Sequence, residues 1–176
     1  MKLQTTVSMI LLCLVSIPAA AIAADQTPRT VRGNDEQGWT HLVYVKPLSY
    51  SVGFDQPEWY RGGEDKITIG GNQFGLALYA HATSSVKYEL AGKCTGFQTC
   101  YGLKAGAGGA AVFVIIADGK ELFRTGEIYS YGHTHDHGIR NPIKLDITGV
   151  KTLELKAIGV RGGASAWSCW GDPKVR

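Results

Sequence analysis

Two short stretches of this 176-residue chain gather the side chains best suited to binding chemistry. The first is Glu58-Trp59-Tyr60-Arg61, set among Gly, Pro, Asp and Glu residues. A sugar needs a flat aromatic face for its apolar side and nearby donors and acceptors for its hydroxyls. Trp59 and Tyr60 would supply the first, Glu58 and Arg61 the second, so Trp59→Ala is expected to weaken sugar binding. The competing reading has Trp59 plugging one end of a β structure. The second stretch carries Tyr129, Tyr131, His133, His135, Asp136, His137 and Arg140. If it is extended, His133, His135 and His137 project to one side. Three imidazoles are a ligand set for zinc or another transition metal, while Tyr131, His133 and Arg140 are candidates for sugar contact. Gly132 and Gly138 interrupt the run, and surface histidines without a metal are the commoner case.

Two further residues belong with these. Trp167 and Trp170 stand three apart in the closing segment and should face opposite sides of a strand. Trp170 is read as core, and Trp167 as free for a ligand beside Arg161. His81 lies between two alanines at the end of an apolar run. It reads as a partly buried histidine bonded to a neighbouring loop, with ligand donation as the alternative. No GxSxG, HExxH or thiol motif is present. Carboxylates can also pair in space without a motif. The chain is read as non-catalytic, with no catalytic residues assigned.

The elements that must position these residues are short strands. Val86, Tyr88 and Leu90 alternate with Lys87 and Glu89, and Leu153, Leu155 and Ala157 with Glu154 and Lys156, the pattern of half-buried strands. Within Phe74–Leu90 an apolar strand is followed by a polar break at Thr83-Ser84-Ser85 and then a second strand. Strands are also predicted at 40–45, 66–69, 94–103, 111–117, 121–125, 143–147 and 166–170. Asp118-Gly119 marks a hairpin, and 111–117 is apolar enough to lie inside a sheet. Residues 48–65 read as a long ordered loop crossing one end. With 23 glycines and no long amphipathic helical segment, the rhythm is that of an all-β sandwich or jelly roll.

The N-terminal 24 residues read as a signal peptide: Lys2, an apolar core over 9–18, then alanines for cleavage. Residues 25–40 are expected to be a flexible lead-in, and 41–176 a single domain. Export places the protein in the periplasm or outside the cell. No transmembrane segment is expected in the mature chain. Without Lys2 there are 17 basic and 15 acidic side chains, too balanced and dispersed for a nucleic-acid partner. Cys94, Cys100 and Cys169 remain after cleavage. Cys94 with Cys100 is the easiest disulfide to imagine, and pairing of either with Cys169 stays open.

Five segments then fall in a familiar order: ITIGG (67–71), FGLALYAHATSSVKYELAGK (74–93), IADGKELFRTG (116–126), LDITGVKTLELKA (145–157) and AWSCWGDPKV (166–175). In that order and spacing the chain resembles the NPCBM family of carbohydrate-binding modules over roughly residues 42–175. The family's small-residue, His, Ala, Ser pattern falls on Ala80, His81, Ala82 and Ser84, and its following strand on Tyr88, Leu90 and Gly92. Its terminal tryptophan and acidic turn fall on Trp170 and Asp172. The resemblance implies a galactose-binding-domain-like jelly-roll β-sandwich. It also implies a glycan or polysaccharide ligand of galactose type, a glycoside hydrolase as partner, and calcium as the one cofactor in view. Asp55, Glu58 and Asp65 could lend calcium oxygens. The chain departs from the family at Lys104, where relatives usually carry acidic residues. A lysine cannot accept a sugar hydroxyl or ligate calcium. Two other readings follow: an exported structural or protein-interaction sandwich that has lost its sugar site, and a metal-binding protein built on the histidine cluster.

Overall fold

The computed structural model describes residues 38–129, 142–163 and 165–176. The predicted signal segment, most of the lead-in, and the Tyr131, His133, His135, His137 and Arg140 candidates lie outside the described residues.

Among the described residues fourteen strands are formed: β1 (Thr40–His41), β2 (Ser49–Ser51), β3 (Glu58–Arg61), β4 (Ile67–Ile69), β5 (Asn72–Phe74), β6 (Leu76–His81), β7 (Ser84–Glu89), β8 (Gly96–Leu103), β9 (Ala110–Ala117), β10 (Lys120–Arg124), β11 (Ile128–Tyr129), β12 (Ile143–Asp146), β13 (Thr152–Gly159) and β14 (Trp167–Val175). Among the described residues they make two antiparallel sheets facing each other and one hairpin. The first sheet runs β12-β8-β14-β6-β3, with β1 also on β14. The second runs β10-β9-β13-β7-β2, with β11 also on β9, and β4 pairs with β5. This is the all-β sandwich read from the strand rhythm.

Alternation explains the layering. Ser84, Val86 and Tyr88 of β7 and Leu153, Leu155 and Ala157 of β13 are buried, while Lys87, Glu89, Glu154 and Lys156 are not. The apolar strand β9 lies between β10 and β13, inside its sheet as expected. The two strands of Phe74–Leu90 do not form a hairpin: β6 belongs to the first sheet and β7 to the second. The chain changes sheet at Ala82-Thr83, so Ser84 and Ser85 already lie in β7, with Ser84 buried. The core between the sheets is centred on Trp170, whose ring meets Phe113 edge-on at 5.2 Å, with Tyr88, Phe97, Leu78 and Ile115 around it.

A smaller apolar cluster sits on the outer face of the first sheet. There the β4–β5 hairpin packs Ile67 and Ile69 with Ala77, Tyr79 and Cys169. Gly171 is needed beneath it: a Cβ there would lie 2.7 Å from the ring of Phe74.

Five expectations are corrected. The segment 40–45 is a strand only at Thr40–His41 and then turns into a 3-10 helix over Leu42–Tyr44. A strand would send Leu42 and Val43 to opposite faces, whereas the turn lets both be fully buried. The lead-in ends before residue 40, because Thr40 pairs with Val175 and Trp39 lies against Lys174 and Arg176. Residues 48–65 are not all loop: β2 and β3 are edge strands, short and polar, so their alternation does not show in composition. The closing strand runs past Trp170 to Val175 through an irregularity between Gly171 and Lys174. Finally, Cys94, Cys100 and Cys169 are all free thiols. Cys94 precedes an extended strand that holds Cys100, and about 3.3 Å of rise per residue carries their Cα atoms beyond the 4.4–6.8 Å of a disulfide.

Candidate functional site

The stretch Glu58–Arg61 is a strand, and a strand cannot present four consecutive side chains to one ligand. Its pairing with β6 sets the faces. Glu58 stands opposite Tyr79 and Tyr60 opposite Ala77, both on the outer face with the β4–β5 cluster. Trp59 stands opposite Leu78 and turns inward against the main core. The indole of Trp59 meets Tyr50 edge-on at 6.0 Å. Its Nε1 is enclosed and, like the hydroxyl of Tyr88, makes no hydrogen bond of ordinary geometry. The two groups are nevertheless near enough for the indole N–H to favour the tyrosinate, against the stronger effect of burial, which pushes Tyr88 up to about 12. Trp59 is therefore the plug of the competing reading rather than a sugar platform. Arg61 also turns toward the sandwich margin, where its Nε donates to the Val43 carbonyl at 2.9 Å. Its own carbonyl accepts from the Tyr44 hydroxyl.

The segment still borders an open cleft of about 580 Å³, lined by Glu58, Trp59, Tyr60, Arg61, Gly62, Asp65 and Lys66. Because the lining includes residues of both faces, the cleft wraps the free edge of β3. Inside it the Tyr60 hydroxyl donates to Glu58 Oε2 at 3.0 Å. Desolvation first, and then this bond and the charge of Glu58, push Tyr60 up to about 12.

A second group of rings continues the outer face from that cleft. His81 pairs with Trp167 across β6 and β14, so both side chains leave the same side of the sheet. Their ring centres are 6.3 Å apart, at 76°. Phe54 stands edge-on to His81 at 5.3 Å and is 70% exposed, more than any other large apolar side chain described. Tyr79, two residues before His81, meets its ring at 5.4 Å, and the Tyr79 hydroxyl lies 2.8 Å from His81 Nε2. Burial, with Glu58, Cys169 and Asp55 adding to it, raises Tyr79 to about 12. Its proton is thus firmly held. When the hydroxyl donates to Nε2, the imidazole carries its own proton on Nδ1 and can donate there. Lys104, on the loop after β8, sets its ammonium over the Tyr79 ring at 4.9 Å.

Close backbone approach makes this group. A Cβ on Gly53 would lie 2.8 Å from the Ala82 carbonyl oxygen, and one on Gly163 2.9 Å from the same atom. The glycines let the loop carrying Phe54 and the loop before β14 close on the turn that follows His81. His81 is half-buried, and its hydrogen bond is to Tyr79 on its own strand rather than to a loop.

Glu58, Tyr60 and Trp167 are thus gathered on one face. Trp59 and Arg61 point elsewhere. Phe54, Tyr79 and Lys104 join the site without having been singled out for it. Tyr79 stands two residues before His81 on the same strand, where period two puts both on one face, whereas Phe54 is on a loop and carried no such signal. The arrangement offers an exposed apolar ring, a half-buried imidazole with an indole beside it, a carboxylate and an ammonium. That set suits a hydroxyl-rich ring with one apolar face. Among the described residues no group of three or more His, Cys, Asp or Glu is placed to hold a metal ion, so the calcium implied by the resemblance finds no such group there. Among the same residues no helix is long and apolar enough to cross a membrane.

Comparison with known proteins bears on the fold. The fold is similar to a solved CBM51 module from Clostridium perfringens GH95 in complex with methyl-galactose. The TM-score is 0.66 at 23% identity, covering 78% of this chain and 99% of that one. It is similar also to CBM51-2 with the INT domains of Clostridium perfringens ZmpB, in complex with GlcNAc (TM-score 0.65, 18% identity, 78% of this chain and 31% of that one). Tandem CBM51 modules of Sp3GH98, a family 98 glycoside hydrolase of Streptococcus pneumoniae SP3-BS71, give a TM-score of 0.63 at 18% identity over 80% of this chain and 47% of that one. In sequence, 117 residues are 29% identical to the "Putative endo-alpha-N-acetylgalactosaminidase" of Renibacterium salmoninarum. The match takes in 65% of this chain and only 7% of that much longer protein. The family model described as the NPCBM/NEW2 domain matches residues 30–176, and the chain belongs to that family.

Proposed function

We propose that this domain is a non-catalytic carbohydrate-binding module that takes a galactose-type residue, or a related N-acetylhexosamine, on the outer face of its first sheet. The observation that carries this reading is the exposed ring of Phe54 standing 5.3 Å from His81, with Trp167 6.3 Å from the same imidazole. Phe54 would lie against the apolar face of the sugar. His81 and Lys104 would donate to its hydroxyls, and Glu58 would accept from them. Export to the periplasm or the cell exterior would place the module where such glycans are met. The solved relatives belonging to glycoside hydrolases support a hydrolase as partner, here a separate chain or a further domain.

The test is titration of the protein with methyl galactoside and with N-acetylglucosamine, wild type beside Phe54→Ala. Stacking of a sugar on one face of a phenylalanine removes roughly 60 Å² of apolar surface from water. At about 25 cal/mol per Å² this is about 1.5 kcal/mol, or about tenfold in Kd. Saturable binding weakened about tenfold by Phe54→Ala is expected. A folded protein that binds neither these sugars nor any member of a glycan array would overturn the proposal and favour a sandwich that has lost its sugar site.

A further inference from the structure

At the opposite end of the first sheet lies a second cleft, of about 530 Å³, that the sugar site does not use. Its lining includes Trp39, Gly96, Gln98, Lys144, Asp146, Thr148 and Arg176. Register places them. Gln98 is paired with Lys174 on one side and Lys144 on the other, and Gly96 with Asp146, so Lys144 and Asp146 leave the same face of the sheet as Gln98. Gly96 leaves room for Arg176: a Cβ there would lie 3.1 Å from its Nε. The guanidinium rests on the indole of Trp39 at 4.9 Å, and the Lys174 ammonium approaches that ring at 5.4 Å.

The side chains lining the cleft carry one positive charge in excess, Lys144 and Arg176 against Asp146. Lys174 is held by Asp172 Oδ2 at 3.1 Å. The Asp146 carboxylate accepts the Thr148 amide at 2.8 Å. Among the described residues neither Lys144 nor Arg176 is paired with a carboxylate. A guanidinium stacked on a ring loses less rotational freedom when it grips an anion with two parallel bonds. Gln98 and Thr148 offer neutral polar groups beside it, as hydroxyls require.

We infer that the cleft between Trp39, Lys144 and Arg176 is a second binding site, for the carboxylate or sulfate of an acidic sugar. Arg176 takes the anion on its fork, Lys144 supplies the second positive charge, and Gln98 meets the ring hydroxyls. The site lies at the other end of the sheet from Phe54 and His81, and stands whether or not that surface holds galactose. A module built this way would read a neutral sugar and an acidic one on the same polysaccharide.

The experiment is calorimetric titration of the whole protein with galacturonate and with galactose 6-sulfate, using methyl galactoside as the neutral control. The expected result is saturable binding of at least one anion that weakens as salt is raised. Arg176→Gln should lower that affinity about tenfold or more and Lys144→Gln severalfold, with methyl galactoside binding unchanged in both. Both side chains are exposed, and the melting temperature of each variant confirms its fold. Which anion binds decides between carboxylate and sulfate. The inference is overturned if neither anion binds at millimolar concentration. It is overturned equally if binding is indifferent to both substitutions, or is abolished by Phe54→Ala, which would assign the anion to the first site.

Discussion

Replacing Trp59 by alanine separates the two roles that its neighbours in sequence suggested for it. The indole is half-buried, turned inward against Leu78 and the main core, with its Nε1 enclosed. Truncating a fully buried tryptophan costs about 3–5 kcal/mol, and this less complete burial puts the cost near the lower end, about 3 kcal/mol. A domain of roughly 140 residues melts with an entropy of about 0.3 kcal/mol per degree, so the midpoint should fall by about 10 °C. Phe54→Ala removes a ring that is 70% exposed. It should cost about 0.5 kcal/mol or less, a shift of about 2 °C at most. The assay is thermal unfolding by circular dichroism of both variants beside the wild type, followed by sugar titration well below each midpoint. Trp59→Ala should be strongly destabilised and, while folded, bind nearly as well as the wild type. Phe54→Ala should show the reverse. A Trp59→Ala protein that melts within 2 °C of the wild type but has lost its sugar would refute the inward placement of the ring.

Two further outcomes follow from the same geometry. Tyr60 and Tyr79 hold their protons to about 12 against an ordinary value of 10.0, through burial first and Glu58 next. The folded state thus binds more protons than the unfolded chain between pH 10 and 12, and stability present below pH 10 should be lost across that window; phenolate absorbance should show these tyrosines titrating late, and Glu58→Gln should bring them earlier if Glu58 acts as described. Alkylation of the native protein should modify Cys94, which is half-buried, and spare Cys100 and Cys169, which are 6% and 0% exposed. All three should react in denaturant without reductant, and a disulfide-linked pair by mass spectrometry would refute the free thiols.

Strands buried on one face were legible because period-two alternation writes the sheet into the sequence: β7 and β13 fall almost where Val86, Tyr88, Leu153 and Leu155 mark them. The edge strands were not. Ser49–Ser51 and Glu58–Arg61 pair on one side only and bury little, so their composition is that of loops. That misreading carried over to the site. A loop can turn four successive side chains toward one ligand, and a strand must divide them between two faces. Trp39 was passed over for a related reason. Nothing in a polar lead-in indicates that its last residues will be held by the far end of the closing strand, where Thr40 meets Val175.

Lys104 shows how a residue that cannot accept a hydroxyl can still serve the surface around it. Its ammonium covers the Tyr79 ring, and the Tyr79 hydroxyl engages His81 Nε2. A cation over the ring face steadies the ring that sets the imidazole. Lys104 therefore acts twice. It brings a donor to the surface, and it steadies the ring that meets the donor next to it. The only carboxylate acceptor among the residues gathered here is then Glu58, one strand away, and its bond from Tyr60 already occupies one oxygen. Sugar hydroxyls can accept from these donors as well as donate, but an amide carbonyl is an added acceptor that asks for no acceptor in return. On that ground an N-acetylated hexosamine should compete well against plain galactose for the Phe54 surface.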